Sequence, residues 1–429
     1  MLIVLVLGIL VLLLLTGLPL VFAMGTASIL YLLLADISLS IITQRMTTAV
    51  DSFLILAIPF FYLAGELMNA CKLTDRIIAM ARAFVGHIHG GLAQVNIFAS
   101  MIFAGMSGSA TADTAALGSV LIPAMKREGY PADFSAAVTV ASAMVGPIIP
   151  PSIAMVIYGA LADVSIGRLL LAGILPGMTI IAVQMVFTWF LARKRGYPRY
   201  ARAGLPEMAC ATWRGAPAVL FPVIIVGGIL SGVFTPTEAA AAAVVYGLVL
   251  GVLVYRNVTA SELWNTLMKV SWGSIRVLII IAVASAFSWI MIREQVPQGI
   301  AGFLGSFTDS PQVVLAVMVA LLFLVGLFMI ASSAEIVLTP ILVPVVVSFG
   351  IDPVHFGVLM IFVLIIGGGT PPVGVLLFIA QDIAEVPFTR MVRAILPFYI
   401  PLFAAVVIIA AFPQLSLWIP NLVFGVGVK

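Results

Sequence analysis

Charge is what this chain has least of. Of its 429 residues only 9% are charged, 20 Lys and Arg against 17 Asp and Glu, where a soluble globular chain carries about 25%. So few charges cannot clothe a soluble fold of this length, and the solvent has to be lipid. The net charge of +3 comes from basic residues scattered at segment ends, which leaves no footprint for nucleic acid. Cys71 and Cys210 are too few and too far apart for a disulfide framework or a metal set. His87, His89 and His355 have no Cys/His cluster beside them, so no metal beyond an alkali cation is expected. No G-x-x-x-x-G-K-[ST] loop exists to hold nucleotide phosphates, which excludes a nucleotide-driven pump. No basic region precedes the apolar run from Leu2 to Leu15, so that run is read as a retained span instead of a cleaved signal.

What is present is apolar: 63% of residues are hydrophobic and the mean hydropathy is +1.25. At about 20 residues per helical span, the chain has room for roughly a dozen crossings. The runs are continuous instead of alternating, which excludes barrel strands. They fall near 1–16, 18–35, 52–70, 91–125, 133–163, 169–192, 215–231, 238–255, 274–292, 312–349, 353–384 and 394–412. The expected class is therefore an all-α polytopic membrane protein.

Orientation follows from Lys and Arg. The densest basic loop holds Arg193, Lys194, Arg195, Arg199 and Arg202 and is placed in the cytoplasm. Counting outward from it, segment 91–125 must begin and end inside, and segment 312–349 must begin and end outside. Both are thus expected as re-entrant hairpins, one from each side, and both termini as periplasmic. Between Arg256 and Ser274, Leu263, Trp264, Leu267, Met268 and Ser271 recur at helical spacing, the pattern of an interfacial amphipathic helix.

Opposite entry predicts an inverted repeat, and a shift of 221 positions supplies it. It carries Gly105 to Gly326, Pro123 to Pro344, Gly129 to Gly350, Gly146 to Gly367, Pro150 to Pro371, Pro151 to Pro372 and Pro176 to Pro397. Seven coincidences at one offset without a gap are a repeat. Gly/Pro-interrupted segments at matching places in two halves point to the binding site of a secondary transporter.

The hairpin tips read Gly105-Met106-Ser107-Gly108-Ser109-Ala110-Thr111 and Met329-Ile330-Ala331-Ser332-Ser333. The breaks read Gly146-Pro147-Ile148-Ile149-Pro150-Pro151-Ser152 and Gly367-Gly368-Gly369-Thr370-Pro371-Pro372-Val373-Gly374. A Pro-Pro pair in mid-span must break a helix, and broken backbone at membrane depth survives only where protein, a cavity or an ion satisfies it. Freed carbonyls and hydroxyls suit an alkali cation. Helix N-termini suit a carboxylate. Close helix packing through small residues is the alternative use of Gly and Ser.

Charged residues inside spans are functional candidates by default. Asp113 either completes a cation site or serves the helix dipole, and Glu335 stands in the corresponding stretch of the second hairpin. Glu66 is expected to pair with a polar group on another helix or on a partner, and Thr235-Pro236-Thr237-Glu238 to form a capping box.

These motifs resemble the large membrane subunit of tripartite ATP-independent periplasmic (TRAP) transporters. The resemblance is carried by Ser107-Gly-Ser-Ala-Thr-Ala-Asp-Thr114, Ile122-Pro-Ala-Met-Lys126, Gly129-Tyr130, Ile149-Pro-Pro-Ser152 and Thr235-Pro-Thr-Glu-Ala239. Leu338-Thr-Pro340, Gly350-Ile-Asp-Pro353, Phe356-Gly357 and Thr370-Pro-Pro-Val-Gly374 continue it in order along the chain. It implies an elevator-type ion-transporter architecture of inverted repeats, with two re-entrant hairpins and two broken helices. It also implies sodium-driven import of an organic acid (a dicarboxylate, sialic acid or other sugar acid) across the bacterial inner membrane. The implied partners are a small four-helix membrane subunit and a periplasmic substrate-binding protein; the coupling ion is sodium, with no organic cofactor. The expected sodium ligands are Ser107, Ser109, Asp113, Gly146, Ser332, Ser333, Gly369 and Thr370. The expected substrate contacts are Gly108, Thr111, Pro150, Pro151, Ser152, Pro371 and Pro372. The chain departs from the family pattern at Ile330, where an acidic residue is common, at Leu376 or Leu377, where Asn often stands, and at Gly368-Gly369.

The resulting division is 1–90 and 169–311 as scaffold, 91–168 and 312–393 as the two transport repeats, and 394–429 as a C-terminal helix. The Gly167-Arg168 region and the stretch from Pro297 to Pro311 are the expected linkers. Two other functions remain open at this point. One is a stand-alone organic-anion symporter or channel. The other is an intramembrane serine protease, since Gly105-Met106-Ser107-Gly108 has the G-x-S-G form, and that would need a histidine within reach of Ser107.

Overall fold

The computed structural model describes residues 2–425, which form helices joined by turns and loops, with no strand among them. Met1 and 426–429, with the expectations for the chain ends, lie outside the described residues. Among the described residues, seven helices are long and apolar enough to cross a membrane: Phe53–Ala70, Ile166–Arg195, Leu205–Leu230, Pro236–Val254, Ala260–Arg293, Ala331–Ser348 and Phe388–Ala411. The shorter apolar helices include the first arm of each of two hairpins and the halves of two broken helices.

The first hairpin is Gly91–Ser107 and Ala110–Arg127, the second Pro311–Gly326 and Ala331–Ser348. The first arm ends at Gly108 in a left-handed conformation, and the return arm starts from Ser109, whose hydroxyl accepts from Ala112 N. The broken helices are Ala132–Ala143 with Ile153–Ala162, and Pro353–Gly368 with Val375–Ala384. Shifted by 221 positions, Ala110–Arg127 coincides end for end with Ala331–Ser348. Both Pro150-Pro151 and Pro371-Pro372 peptide bonds are cis.

The two repeats interlock. The return arm of hairpin one packs on Val375–Ala384, and that of hairpin two packs on Ile153–Ala162. Lys126 Nζ caps this exchange by donating to Ala384 O at 3.3 Å. The first halves of the broken helices are buried almost all round, from Phe134 to Ala143 and from Val354 to Gly367, which is how a helix apolar on every face finds its place. The repeats differ in chemistry at one seam. Asn96 donates to Thr139 at 2.7 Å and Ser100 pairs with Ser142 at 2.8 Å, where the second repeat has Val317, Met360, Leu321 and Val363.

The helices of the expected scaffold pack on one another. Leu20–Leu34, Ser40–Val50 and Ala57–Ala70 pack along Ala260–Arg293, while Ala57–Ala70 also packs on Pro236–Leu248. Tyr31 ties the far end of the long helix by donating to Glu294 Oε1 at 2.5 Å. Glu66 meets Lys269 Nζ at 2.7 Å, and Thr235 with Glu238 forms the anticipated capping box.

Three expectations change. The 256–274 stretch is not a separate amphipathic helix: Ala260–Arg293 is one helix of 34 residues, begun by a second capping box at Thr259 and Glu262. Gly273 is the sole glycine inside it and no proline interrupts it. The Gly167-Arg168 region is not a loose linker, because Ile166–Ala172 is a helix with every residue buried. Arg168 donates from it to Asn421 Oδ1 at 2.6 Å and to Gly425 O at 2.9 Å, closing the end of Gln414–Phe424. The stretch from Pro297 to Pro311 is mostly the helix Val296–Gly305.

Candidate functional site

The two tips and two breaks surround one cavity of about 390 Å³, within the size range of small-molecule sites. Four helices begin on its wall, at Ala110 and Thr111, at Ile153 and Ala154, at Ala331 and Ser332, and at Val375 and Leu376. The N–H groups of these eight residues lack intrahelical partners by position, as the first groups of any helix do. Each N-terminus also carries partial positive charge. The expected tip residues Gly108, Ser109, Thr111 and Ser332 line the cavity. Glu335, one turn beyond Ser332, is 2% exposed, and its Oε1 has no hydrogen-bond partner among the described residues.

Below the first tip the expected cation residues meet. Ser107 Oγ donates to Asp113 Oδ1 and also accepts from Ser109 N at 3.2 Å. Asp113 is fully buried and its Oδ2 has no hydrogen-bond partner among the described residues. That oxygen faces Gly146, where an added Cβ would stand 2.6 Å from it and 3.1 Å from Ala143 O. A free carboxylate oxygen, a hydroxyl and a carbonyl converge where glycine leaves room, a donor set that fits a small hard cation. Gly108 is equally constrained. Its φ is +59° and a Cβ would lie 2.8 Å from Pro151 O, so only glycine lets the tip touch the break.

The second set is not assembled in the same way. The Thr370 hydroxyl is spent on Ile366 O at 2.6 Å, and Gly369 O accepts from Tyr399 at 3.1 Å. Ser333 does not line the cavity, although Ser332 and Gly368 do. Among the expected substrate residues, Pro150 faces an apolar pocket shared with Ile174 and Pro222. Pro151, Pro371 and Pro372 are absent from the cavity wall, and Ser152 is the N-cap of Ile153–Ala162, accepting from Met155 N at 3.1 Å. The prolines break the helices; the residues that follow reach the cavity. Sequence reasoning missed Pro147 and the scaffold side chains Tyr62 and Val277, which close the wall. No spacing within one helix reveals such a contact between helices.

The protease geometry is also missing. His355 pairs through Nδ1 with Ser416 Oγ at 3.3 Å, while the Ser107 hydroxyl is engaged with Asp113.

Known proteins are similar to this chain along most of its length. The family described as tripartite ATP-independent periplasmic transporter, DctM component, matches residues 7–415. The sialic acid TRAP transporter large permease protein SiaM of Vibrio cholerae is 40% identical over 416 residues, 97% of each chain. The C4-dicarboxylate TRAP transporter large permease protein DctM of Rhodobacter capsulatus is 36% identical, covering 97% of this chain and 98% of its own. Both relatives are permeases, not enzymes. The crystal structure of the YdaH transporter from Alcanivorax borkumensis shares the fold, with a TM-score of 0.67 over 88% of each chain at 14% identity.

Proposed function

This chain belongs to the DctM-component family of tripartite ATP-independent periplasmic transporters, and from that premise we propose that it is the large permease of a sodium-driven organic-acid importer. The acid is of the class named for the relatives, a sialic acid or a C4-dicarboxylate. A periplasmic binding protein delivers it, and a small membrane subunit extends the scaffold in the bacterial inner membrane.

Four helix N-termini on one cavity carry this reading. Their N–H groups and dipoles favour a carboxylate without any basic side chain on the tips. Sodium would sit at Ser107, Asp113 and Gly146, where the unpaired Asp113 Oδ2 awaits a positive partner. A cation there neutralises a buried charge a few residues from the anion cavity, so occupancy of one favours occupancy of the other. The interlocked repeats then move as one body against the scaffold, one way to give alternating access.

Uptake of labelled sialic acid or succinate by proteoliposomes holding the complete complex is the test. Uptake is expected only with an inward sodium gradient and with the binding protein present. Equal uptake after potassium replaces sodium would overturn the coupling.

A further inference from the structure

The scaffold helix Ala260–Arg293 carries an arginine at its midpoint. At 1.5 Å per residue, Arg276 lies roughly 24 Å from either end of that helix. Arg276 also opens the apolar run 274–292 of that helix, and a charge at the edge of a span is retained where water or an anion meets it. Lys269, two turns earlier, is already neutralised by Glu66 at 2.7 Å. Arg276 has no ion-pair or hydrogen-bond partner among the described residues.

Arg276 lines a second cavity, of about 630 Å³, together with Ser107, Ser109 and Thr111 of the first tip. Tyr62, Ser109, Thr111 and Ile153 belong to the walls of both cavities, so the two spaces adjoin around that tip. The scaffold side of the site thus offers one uncompensated guanidinium, opposite helix N-termini that already favour an anion.

We propose that Arg276 is a substrate-recognition residue whose guanidinium receives a carboxylate of the organic acid from the scaffold side. A planar fork of donors matches a carboxylate with two parallel hydrogen bonds. The rest of the acid then lies among the tip hydroxyls and N–H groups. This inference rests on the organic-acid reading above.

Two measurements on the reconstituted complex test it. The first is uptake of labelled sialic acid and succinate by wild type, Arg276→Lys and Arg276→Gln. For the acid that wild type transports, Arg276→Gln is expected to raise KM at least about tenfold with kcat little changed. Arg276→Lys keeps the charge without the fork and falls between. The second is modification of Arg276 by phenylglyoxal, read by mass spectrometry. Millimolar sialic acid or succinate is expected to slow it relative to sodium chloride of equal ionic strength. Protection without transport of either acid would leave the anion site standing and remove the transport reading. An unchanged KM in Arg276→Gln, or modification equally fast with and without both acids, overturns the site itself.

Discussion

Asp113 and Gly146 are fitted to each other across the first hairpin and its broken helix: a single methyl group on Gly146 would lie 2.6 Å from Asp113 Oδ2. The same methyl would stand 3.2 Å from Ala110 N, so the surrounding backbone leaves it little room to shift. Gly146→Ala is therefore expected to fill the space of the cation. The sodium concentration for half-maximal uptake should rise at least about tenfold, the ratio that about 1.4 kcal/mol produces. Asp113→Asn should act in the same direction by removing the charge. Both variants should remain monodisperse in detergent. Unaltered sodium dependence in both would show that the ion binds elsewhere.

A buried arginine anchors the C-terminal helix. Arg168 is 4% exposed and spends two donors on Asn421 Oδ1 and Gly425 O. Hydrogen bonds to charged groups contribute about 1.5–3 kcal/mol, so Asn421→Ala should lower the thermal midpoint of unfolding and loosen the last helix to proteolysis. Asn421→Asp, which gives the guanidinium an anionic partner, should recover the loss. An unshifted midpoint in Asn421→Ala would mean that water takes the place of the amide.

The hairpins and breaks were legible because glycine and proline recur with a fixed offset, and a backbone requirement survives in sequence even when side chains diverge. The Asn96–Thr139 seam, apolar in the second repeat, shows how far those side chains have diverged. The roles within the breaks were less legible. Pro150, Pro151, Pro371 and Pro372 lie in the gaps after helices that end at Ala143 and Gly368, but Ile153 and Val375, unremarkable in sequence, begin the next ones on the cavity wall. The 256–274 stretch misled because its amphipathic pattern is real while nothing in it stops a helix. Arg276 was legible as a charge in the apolar run 274–292, but not the cavity it shares with Thr111 and Ser109, which are more than 150 positions away.

The basic loop after Arg195 is held by Tyr200. Its N–H donates to Gly86 O at 3.0 Å, the Arg82 guanidinium lies 3.9 Å from its ring centroid, and its hydroxyl donates to Glu128. Burial first, then the bond to the Glu128 carboxylate, pushes this hydroxyl above the ordinary phenol value of 10.0, with Arg82 pulling weakly the other way. The folded value is the raised one, so this stabilisation is complete below pH 10.0 and is lost as pH rises through the raised value. The phenolate absorbance that disappears in Tyr200→Phe should accordingly develop only in strongly alkaline solution. Ionisation at the ordinary value would place Tyr200 in open solvent.

The scaffold touches the first tip at one place closely enough to lock. Gly65, on the scaffold helix Ala57–Ala70, has its would-be Cβ 3.3 Å from Met106 O and 3.4 Å from Ser107 O. Nearby Asn69 and Ala112 face the same cavity from opposite sides, one on the scaffold and one on hairpin one. Cysteines at these two positions, in a chain with Cys71 and Cys210 replaced, can be joined through reducible disulfides by a short bis-methanethiosulfonate. If the repeats move as a body against the scaffold, the joined protein should lose uptake and regain it on reduction. Sodium binding should persist throughout, since Ser107, Asp113 and Gly146 all belong to the first repeat. Full uptake with the link quantitatively formed would rule out motion of the whole unit and leave a local gate at the tips, where Ser109 and Ser332 meet the cavity.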